Sequence, residues 1–181
     1  MNTTENPDNK QPDRANLPRW MVLLIALFFW VILLPLVFAG IPWAISLLTP
    51  RYGWTDGRPG MWNLLGLIPI ALATICLIWL MILHFSRMPK RVQLERTPRY
   101  VLMNGPYRFT RNPMYIAELA LWLGWAIFYG SILNLVGFPV GWLVFDLLIV
   151  PREERDLEAR FGDSYLEYKN KVPRWFGKTR R

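Results

Sequence analysis

The sequence predicts an all-α integral membrane protein: a helical bundle of about four transmembrane helices, with a C-terminal helical hairpin and cytoplasmic amphipathic helices. Of its 181 residues, 53% are hydrophobic and 15% are aromatic. Residues 20–50, 59–86 and 119–145 contain no Asp, Glu, Lys or Arg. Each block exceeds the roughly 20 residues that cross a bilayer as a helix. Because backbone groups inside hydrocarbon must bond to one another, such blocks are typical of transmembrane helices.

The N-terminal part is predicted to contain a polar tail and a first helix. Residues 1–16 predict a disordered cytoplasmic tail, because they are rich in Asn, Asp and Pro. The first helix is expected at about residues 18–38. Residues 41–48 should then form a separate stretch at the membrane interface. The reason is that proline and glycine kink or end helices, here at Pro35, Gly40 and Pro42.

The second predicted helix, at about residues 61–85, completes an N-terminal transmembrane region at residues 17–96. Residues 86–112 then turn basic and irregular, and a loop of this length is usually functional or disordered. Asn112 as the N-cap and Pro113 at the first helical position predict the start of a third helix.

A helical hairpin is predicted next. The third helix should end at Tyr129, because Gly130 and Ser131 are suited to a tight turn. A fourth helix follows at about residues 132–150, and its apolar sequence predicts a second hairpin arm.

Two short cytoplasmic helices are predicted at the C-terminal end. The first should begin at Pro151, with Leu157 on its apolar face, and end at Gly162. Ser164 with Glu167 predicts a capping box for the second.

Basic residues are distributed unevenly between the predicted loops. Three precede Trp20, seven lie in residues 87–111 and nine follow Pro151, whereas two lie between the first and second apolar blocks. With four helices, both tails and the second loop share one side of the membrane. The positive-inside rule makes that side cytoplasmic, so we expect an inner-membrane protein with both termini in the cytoplasm. The same residues would attract anionic membrane lipids.

The composition argues against a disulfide, a metal site and a nucleic-acid partner. Cys76 is the only cysteine, so no intramolecular disulfide can form. His84 is the only histidine, and zinc sites mostly use several Cys or His ligands, so we expect no metal site. Because topology explains the net charge of +8, we also expect no nucleic-acid partner.

Two polar clusters fall on the predicted cytoplasmic side. Residues 105–115 combine a Gly-Pro turn, Arg108, Arg111 and a helix start whose free N–H groups favour an anion. Residues 151–157 place three acids at a helix start, where they could hold cationic groups or ribose hydroxyls. Each cluster also has an ordinary explanation: membrane anchoring for the first, and complementing the helix dipole for the second.

The predicted third helix has an aromatic face that carries one carboxylate. Spacings of three and four residues place five side chains on this face: Tyr115, Glu118, Trp122, Trp125 and Tyr129. Such a face either lines a lipophilic pocket or packs in the core. Asp146, near the end of the fourth helix, is a further candidate, because ionisable residues at membrane depth are usually functional.

Three segments follow one another in a characteristic order: GPYRFTRNPMY, the helical hairpin, and PREERDLEARFGDSYLEYKNKVPRW. This order resembles the isoprenylcysteine carboxyl methyltransferase and phospholipid methyltransferase superfamily of integral membrane enzymes. Its pattern is a Gly-Pro-Tyr-Arg lead into Arg-His-Pro-x-Tyr, and later Glu-Glu-x-x-Leu followed by Phe-Gly-x-x-Tyr. The resemblance covers residues 97–175, and we treat residues 97–181 as a methyltransferase-like cofactor-binding region.

The resemblance implies transfer of a methyl group from S-adenosylmethionine to a carboxylate or amine of a lipophilic substrate, at the cytoplasmic membrane face. It also implies a cofactor pocket with two walls. One wall consists of Tyr107, Arg111, Asn112, Pro113 and Tyr115. The other consists of Glu153, Glu154 and Leu157.

Several residues are candidates for the chemistry that the resemblance implies. Arg111 and Arg108 could orient a substrate carboxylate, which is already nucleophilic. An amine would need a base, for which Glu118 or Glu154 could serve. Asn112 stands where the superfamily has His, so only a backbone or capping role carries over to it.

Two alternative functions are open. Membrane reductases of the sterol and steroid type, which use NADPH, have a similar Arg-His-Pro-x-Tyr segment followed by Gly-Glu and tryptophans, as in residues 117–125. A non-catalytic membrane protein with the same fold is the other alternative. The Glu-Glu-x-x-Leu and Phe-Gly-x-x-Tyr segments favour the methyltransferase.

Overall fold

Membrane-spanning helices dominate the computed structural model, which describes residues 16–87, 91–93 and 102–177. Three helices are long and apolar enough to cross a membrane: Trp20–Ser46, Asn63–Ser86 and Ile132–Phe161. A shorter apolar helix, Pro113–Tyr129, packs among them. The predicted all-α membrane bundle is therefore confirmed, as three long spans and one shorter helix.

The first span is one continuous helix. Helix α1 (Arg19–Phe28) leads through two π-helical turns, Phe29–Leu33 and Leu36–Gly40, into helix α2 (Ile41–Ser46). The wider turns accommodate backbone hydrogen bonds that the prolines cannot make, so the helix does not end at them. Residues 41–46 therefore belong to the first span, and the expected separation of residues 41–48 from that helix is wrong.

Two short antiparallel ladders flank the first span. Strand β1 (Asn16–Pro18) pairs with strand β4 (Arg91–Gln93), and strand β2 (Trp54–Thr55) pairs with strand β3 (Arg58–Pro59). The first ladder joins the start of the first span to the chain that follows the second span. The predicted tail, except Asn16, and residues 94–101 of the predicted loop lie outside the described residues.

The second span packs closely against the shorter helix. A 3₁₀ turn, Asn63–Gly66, leads into helix α3 (Leu67–Arg87), which contacts helix α4 (Pro113–Tyr129) along its length. Their shared core contains Ala73, Leu77, Ala117 and Leu121. Small residues allow this approach: a Cβ on Gly66 would lie 2.4 Å from the Gly124 carbonyl oxygen.

The hairpin turns where it was predicted. Helix α4 ends at Gly130, whose φ of +58° favours glycine, and the Ser131 hydroxyl accepts a hydrogen bond from the backbone N–H of Asn134. Helix α5 (Ile132–Val144) follows and forms the second arm.

Helix α5 continues into the predicted cytoplasmic region without a break. A π-helical turn, Phe145–Ile149, joins it to helix α6 (Val150–Phe161), so Pro151 does not begin a separate helix. The long C-terminal span, Ile132–Phe161, therefore runs from the hairpin turn at one end of the bundle to the polar segment at the other. Pro151 is tolerated because the turn before it is already widened.

Helix α7 (Asp163–Lys171) follows Gly162, which has a φ of +53°. The predicted capping box is wrong, because Ser164 Oγ donates to the Phe161 carbonyl and Glu167 pairs with Lys171. The left-handed glycine redirects the chain sharply, and Ser164 therefore lies inside the first helical turn instead of preceding it.

Contacts between loops define the two ends of the bundle. At one end, the β1–β4 ladder joins the segment before the first span to the chain after the second span, and the Arg111 N–H donates to the carbonyl of Pro173, after α7. At the opposite end, the Tyr52 N–H donates to the Gly130 carbonyl. The first of these ends, called here the basic end, collects the segments that the sequence predicted to share one side.

The glycine contact between α3 and α4 generates a stability prediction. Gly66→Ala should destabilise the bundle by about 1–3 kcal/mol, because the new methyl group meets backbone atoms of α4. Gly141→Ala is the matched control: its Cβ would meet Leu119 at an ordinary 3.5 Å, and alanine favours a helix by up to about 1 kcal/mol. Reversible unfolding in mixed micelles measures both changes. Equal effects at the two positions would contradict the close crossing.

Candidate functional site

The start of helix α4 is fixed by contacts with the C-terminal segment. Pro113 occupies the first turn and Asn112 the N-cap position, as predicted, but the Asn112 side chain makes no capping hydrogen bond. Its Nδ2 instead donates to the Arg174 carbonyl oxygen at 3.0 Å. The capping role expected for this side chain is therefore wrong, since its amide binds a distant segment.

Residues 172–176, called here the C-terminal strap, lie along the loop before α4. The Arg111 N–H donates to the Pro173 carbonyl at 3.0 Å, and Thr110 Oγ1 donates to the Arg174 carbonyl at 2.9 Å. The hydroxyl of Tyr168, in α7, donates to the Tyr107 carbonyl at 2.8 Å. These bonds attach the last part of the described chain to the loop that carries the first predicted cluster.

Glu154 is the centre of an ion-pair network. Its side chain is only 6% exposed, and three basic side chains surround it. Arg174 Nη2 lies 2.9 Å from its Oε2, Arg111 Nη1 lies 3.2 Å from its Oε1, and Lys169 Nζ lies 3.6 Å from its Oε2. Such a buried carboxylate is tolerated only when it is paired in this way.

Arg174 extends the network to the fourth predicted helix. Its Nη1 lies 3.2 Å from Asp146 Oδ1, and the Trp175 indole donates to the same oxygen at 2.7 Å. The hydrogen bond with Glu154 raises the pKa of Arg174 above its usual value, so the guanidinium is charged at any ordinary pH. Asp146 thus binds the C-terminal strap.

A second contact joins the predicted clusters. The hydroxyl of Tyr115 donates to Glu153 Oε1 at 2.6 Å. The Tyr115 ring packs on Phe145, with 4.5 Å between ring centroids. Together with the Arg111–Glu154 pair, this bond brings residues 111–115 and residues 153–154 into one site at the basic end.

Arg111 retains unused donors although it is buried. Its side chain is 9% exposed, and its Nε and Nη1 have no hydrogen-bond acceptor in the described structure. Nη1 is near Glu154, but not in hydrogen-bond geometry. Buried donors without acceptors are rare in native proteins, so Nε, which has no carboxylate near it, is the exception in this site.

Three other residues predicted for the site, Leu157, Arg108 and Glu118, have other surroundings. Leu157 packs against Tyr165 and Tyr168, and burial raises the pKa of Tyr165 to about 12. Arg108 is exposed at the end of a 3₁₀ turn. Glu118 is buried in α4, one helical turn beyond Tyr115.

Sequence reasoning did not assign Arg174, Lys169 or Trp175 to the site. All three follow the Phe-Gly-x-x-Tyr segment, and the acids that they contact in the site, Glu154 and Asp146, lie 15 to 29 positions earlier in the chain. A buried carboxylate requires nearby cations, but the sequence does not show which basic residues supply them.

The fold and the site define a small integral membrane protein whose polar site lies at one end of a helical bundle. The chain belongs to the phospholipid methyltransferase family, because the family's sequence pattern matches residues 62–164, more than half of the chain. No solved structure matches it.

Three relatives are similar to parts of the chain. An uncharacterized protein from Haemophilus influenzae is 40% identical over 62 residues, which cover 34% of this chain and 98% of that protein. Protein-S-isoprenylcysteine O-methyltransferase from Xenopus laevis is 30% identical over 112 residues, 61% of this chain and 39% of that enzyme. Delta(14)-sterol reductase from Methylotuvimicrobium alcaliphilum is 27% identical over 106 residues, 50% of this chain and 23% of that enzyme. The chain thus spans less than half of the two relatives that have a named activity.

The bond between Asn112 and the strap predicts an order of substitutions. Histidine also carries an N–H donor, so Asn112→His should hold the strap, whereas Asn112→Ala should lose about 0.5–1.5 kcal/mol. Asn112→Asp should lose more, because a carboxylate would face the Arg174 carbonyl oxygen. Hydrogen exchange of residues 172–176 measures the effect. Equal exchange in all four proteins would show that this bond does not hold the strap.

Proposed function

We propose that this protein is an S-adenosylmethionine-dependent methyltransferase that acts on a carboxylate or amine of a lipophilic substrate. The observation that carries the proposal is the meeting of residues 111–115 with residues 153–154. Tyr115 bonds to Glu153 at 2.6 Å and Arg111 pairs with Glu154 at 3.2 Å, within the segment that matches the family. These are the two walls that the family resemblance implies for the cofactor.

The residues at the site fit a cofactor that carries both a negatively and a positively charged group. Arg111 Nε has no acceptor among the described residues and suits a carboxylate, since a guanidinium binds carboxylates strongly. Glu153 is exposed enough to be reached by a ligand, and its carboxylate accepts hydrogen bonds from hydroxyl or amino groups. S-Adenosylmethionine carries a carboxylate, an amino group and ribose hydroxyls, and when bound it supplies a methyl group on a sulfonium centre.

The contacts narrow the roles of the candidate catalytic residues. Glu154 is surrounded by three cations, so it is poorly suited to accept a proton. Glu118 has no such partner among the described residues and is the better base for an amine. Arg111 lies in the site beside Glu154, so of the two arginines it is better placed than exposed Arg108 to orient a carboxylate, of the cofactor or of the substrate.

The position of the site suits a lipophilic substrate. Helix α4 has 17 residues and is therefore about 25 Å long, less than the roughly 30 Å of a hydrocarbon core. At least one of its ends thus lies within the apolar thickness, where the aromatic face of the helix could meet a greasy chain. Tyr115 and Glu118 are near the end that carries the site.

We also propose that the basic end faces the cytoplasm, in the inner membrane. Contacts bring the described parts of the first segment, the second loop and the last segment to that end, and in the sequence these segments hold nearly all basic residues. The positive-inside rule then gives the orientation, and a soluble cofactor would enter from the cytoplasm.

Cofactor titration tests the proposed function. Purified protein in zwitterionic nanodiscs should bind S-adenosylhomocysteine in calorimetry and should not bind NADPH. The similarity to a sterol reductase makes NADPH the informative competitor. Binding of NADPH without binding of S-adenosylhomocysteine would indicate a reductase. Binding of neither would favour a non-catalytic protein. Radiolabelled methyl transfer to native membrane extract would then identify the acceptor.

Substitutions of Glu153 and Glu154, in the second wall, test the cofactor site more specifically. Glu153→Gln, alone and combined with Glu154→Gln, should weaken S-adenosylhomocysteine binding by about tenfold, because charge-assisted hydrogen bonds contribute roughly 1.5–3 kcal/mol. Glu167→Gln is the control, since Glu167 is exposed and paired only with Lys171. Unchanged affinity in the folded double variant would remove the second wall from the site.

A further inference from the structure

A cavity of about 260 Å³ lies at the end of the bundle opposite the basic end. The hairpin and the loop between the first two spans form it together: Tyr52 and Trp62 come from the loop, Ala126 from α4, Gly130 from the turn and Leu135 from α5. Its lining is almost entirely apolar, and it is open on one side. Pockets for whole drug-sized ligands occupy roughly 300–1,000 Å³, so this cavity suits part of a ligand, such as a hydrocarbon chain.

The rim of the cavity lies at the membrane boundary. Leu135 is in the first turn of the span that begins at Ile132, and Trp62 directly precedes the span that begins at Asn63. Both rim residues are about half exposed, and tryptophan is typical of the level where the hydrocarbon meets the lipid headgroups. An acyl chain can therefore reach the cavity from the bilayer.

Hydrogen bonds hold the walls of the cavity in place. The side-chain amide of Asn63, which is fully buried, donates to the carbonyl oxygens of Tyr52 and Ile127, each at 3.1 Å. The Trp54 indole donates to the Phe128 carbonyl at 2.9 Å. These bonds attach the loop to the last turn of α4, so the cavity is a preformed part of the fold.

A cation without a carboxylate partner lies beside this cavity. Arg51 directly precedes Tyr52, and its guanidinium carbon lies 4.9 Å from the ring centroid of Trp54 and 5.1 Å from that of Tyr129. Its Nε donates to the Ser46 carbonyl at 3.4 Å, and among the described residues no Asp or Glu forms an ion pair with it. Stacking on aromatic rings leaves the Nη edge of a guanidinium available, and this edge binds phosphate groups in a bidentate manner.

We propose that the cavity and Arg51 together bind one anionic phospholipid of the leaflet at this end of the bundle. The apolar cavity takes part of an acyl chain, and Arg51 pairs with the phosphate. Charge complementarity selects this occupant, because a lipid phosphate supplies the counter-ion that the guanidinium lacks among the described residues. The site is at the other end of the bundle from Tyr115 and Glu153. This lipid is therefore distinct from the methyl acceptor, and the inference does not depend on the proposed function.

Photo-crosslinking with two lipid probes tests the site. Phosphatidylglycerol and phosphatidylcholine, each with a diazirine on one acyl chain, are added at low mole fraction to the full chain in zwitterionic nanodiscs. Mass spectrometry maps the labelled residues, so lipids attracted to the basic end are counted separately. The phosphatidylglycerol probe should label the cavity residues about fivefold more than the phosphatidylcholine probe, which is the effect of one basic residue near an anionic lipid.

Charge variants test the role of Arg51. Arg51→Gln should reduce this labelling ratio to near one, whereas Arg51→Lys should keep most of it because the positive charge remains. Arg58→Gln is the matched control, since Arg58 is an exposed residue of strand β3 at the same end and does not line the cavity. It should leave the ratio nearly unchanged. Equal losses in Arg51→Gln and Arg58→Gln would show a general attraction of charge and would overturn the phosphate site.

A second pair of variants tests the cavity and leaves the cation in place. Leu135→Trp adds bulk at the rim and should lower the labelling of Tyr52 and Trp62 severalfold with both probes. Val136→Trp adds bulk at the next position, which is 54% exposed against 53% for Leu135 and does not line the cavity, so labelling should not change. Both positions are exposed, and both variants should therefore fold. Unchanged labelling in Leu135→Trp, or a cavity that crosslinks to a second copy of this chain and to no lipid, would overturn the proposal.

Discussion

One buried carboxylate joins the parts of the site. Glu154 lies in the long C-terminal span, Arg111 lies before α4, and Arg174 lies in the C-terminal strap, so the network connects three segments that are distant in sequence. Without these cations Glu154 would be an isolated charge at the membrane boundary, which is strongly destabilising. The register of the strap and the position of the α4 start therefore depend on the same acid.

This constraint gives the two neighbouring glutamates different roles. Glu154 points into the cationic network, whereas Glu153, on the adjacent helical position, meets Tyr115. Successive helical positions differ by about 100°, so one of the pair serves the structure and the other remains accessible. The same division leaves Arg111 Nε without an acceptor among the described residues, at the place where we propose that the cofactor binds.

Hydropathy predicted the spans, and turn chemistry predicted the hairpin at Gly130 and Ser131. The helix ends near Pro35 and Pro151 were not predictable, because π-helical turns allow proline without a break and depend on packing around the turn. The meeting of the two polar clusters was expected from the family motifs. The partners of Glu154 in α7 and the strap were not, since a left-handed turn at Gly162 sets their positions and tertiary contacts select them.

The most direct test of the central claim is a double-mutant cycle between Arg111 and Glu154, measured as unfolding free energy in mixed micelles. The variants Arg111→Gln, Glu154→Gln and their combination remove each charge without adding bulk. Because the two groups lie 3.2 Å apart in a buried site, the account predicts a coupling energy of at least about 1 kcal/mol. Additivity within about 0.5 kcal/mol would show that the two polar clusters do not form one site.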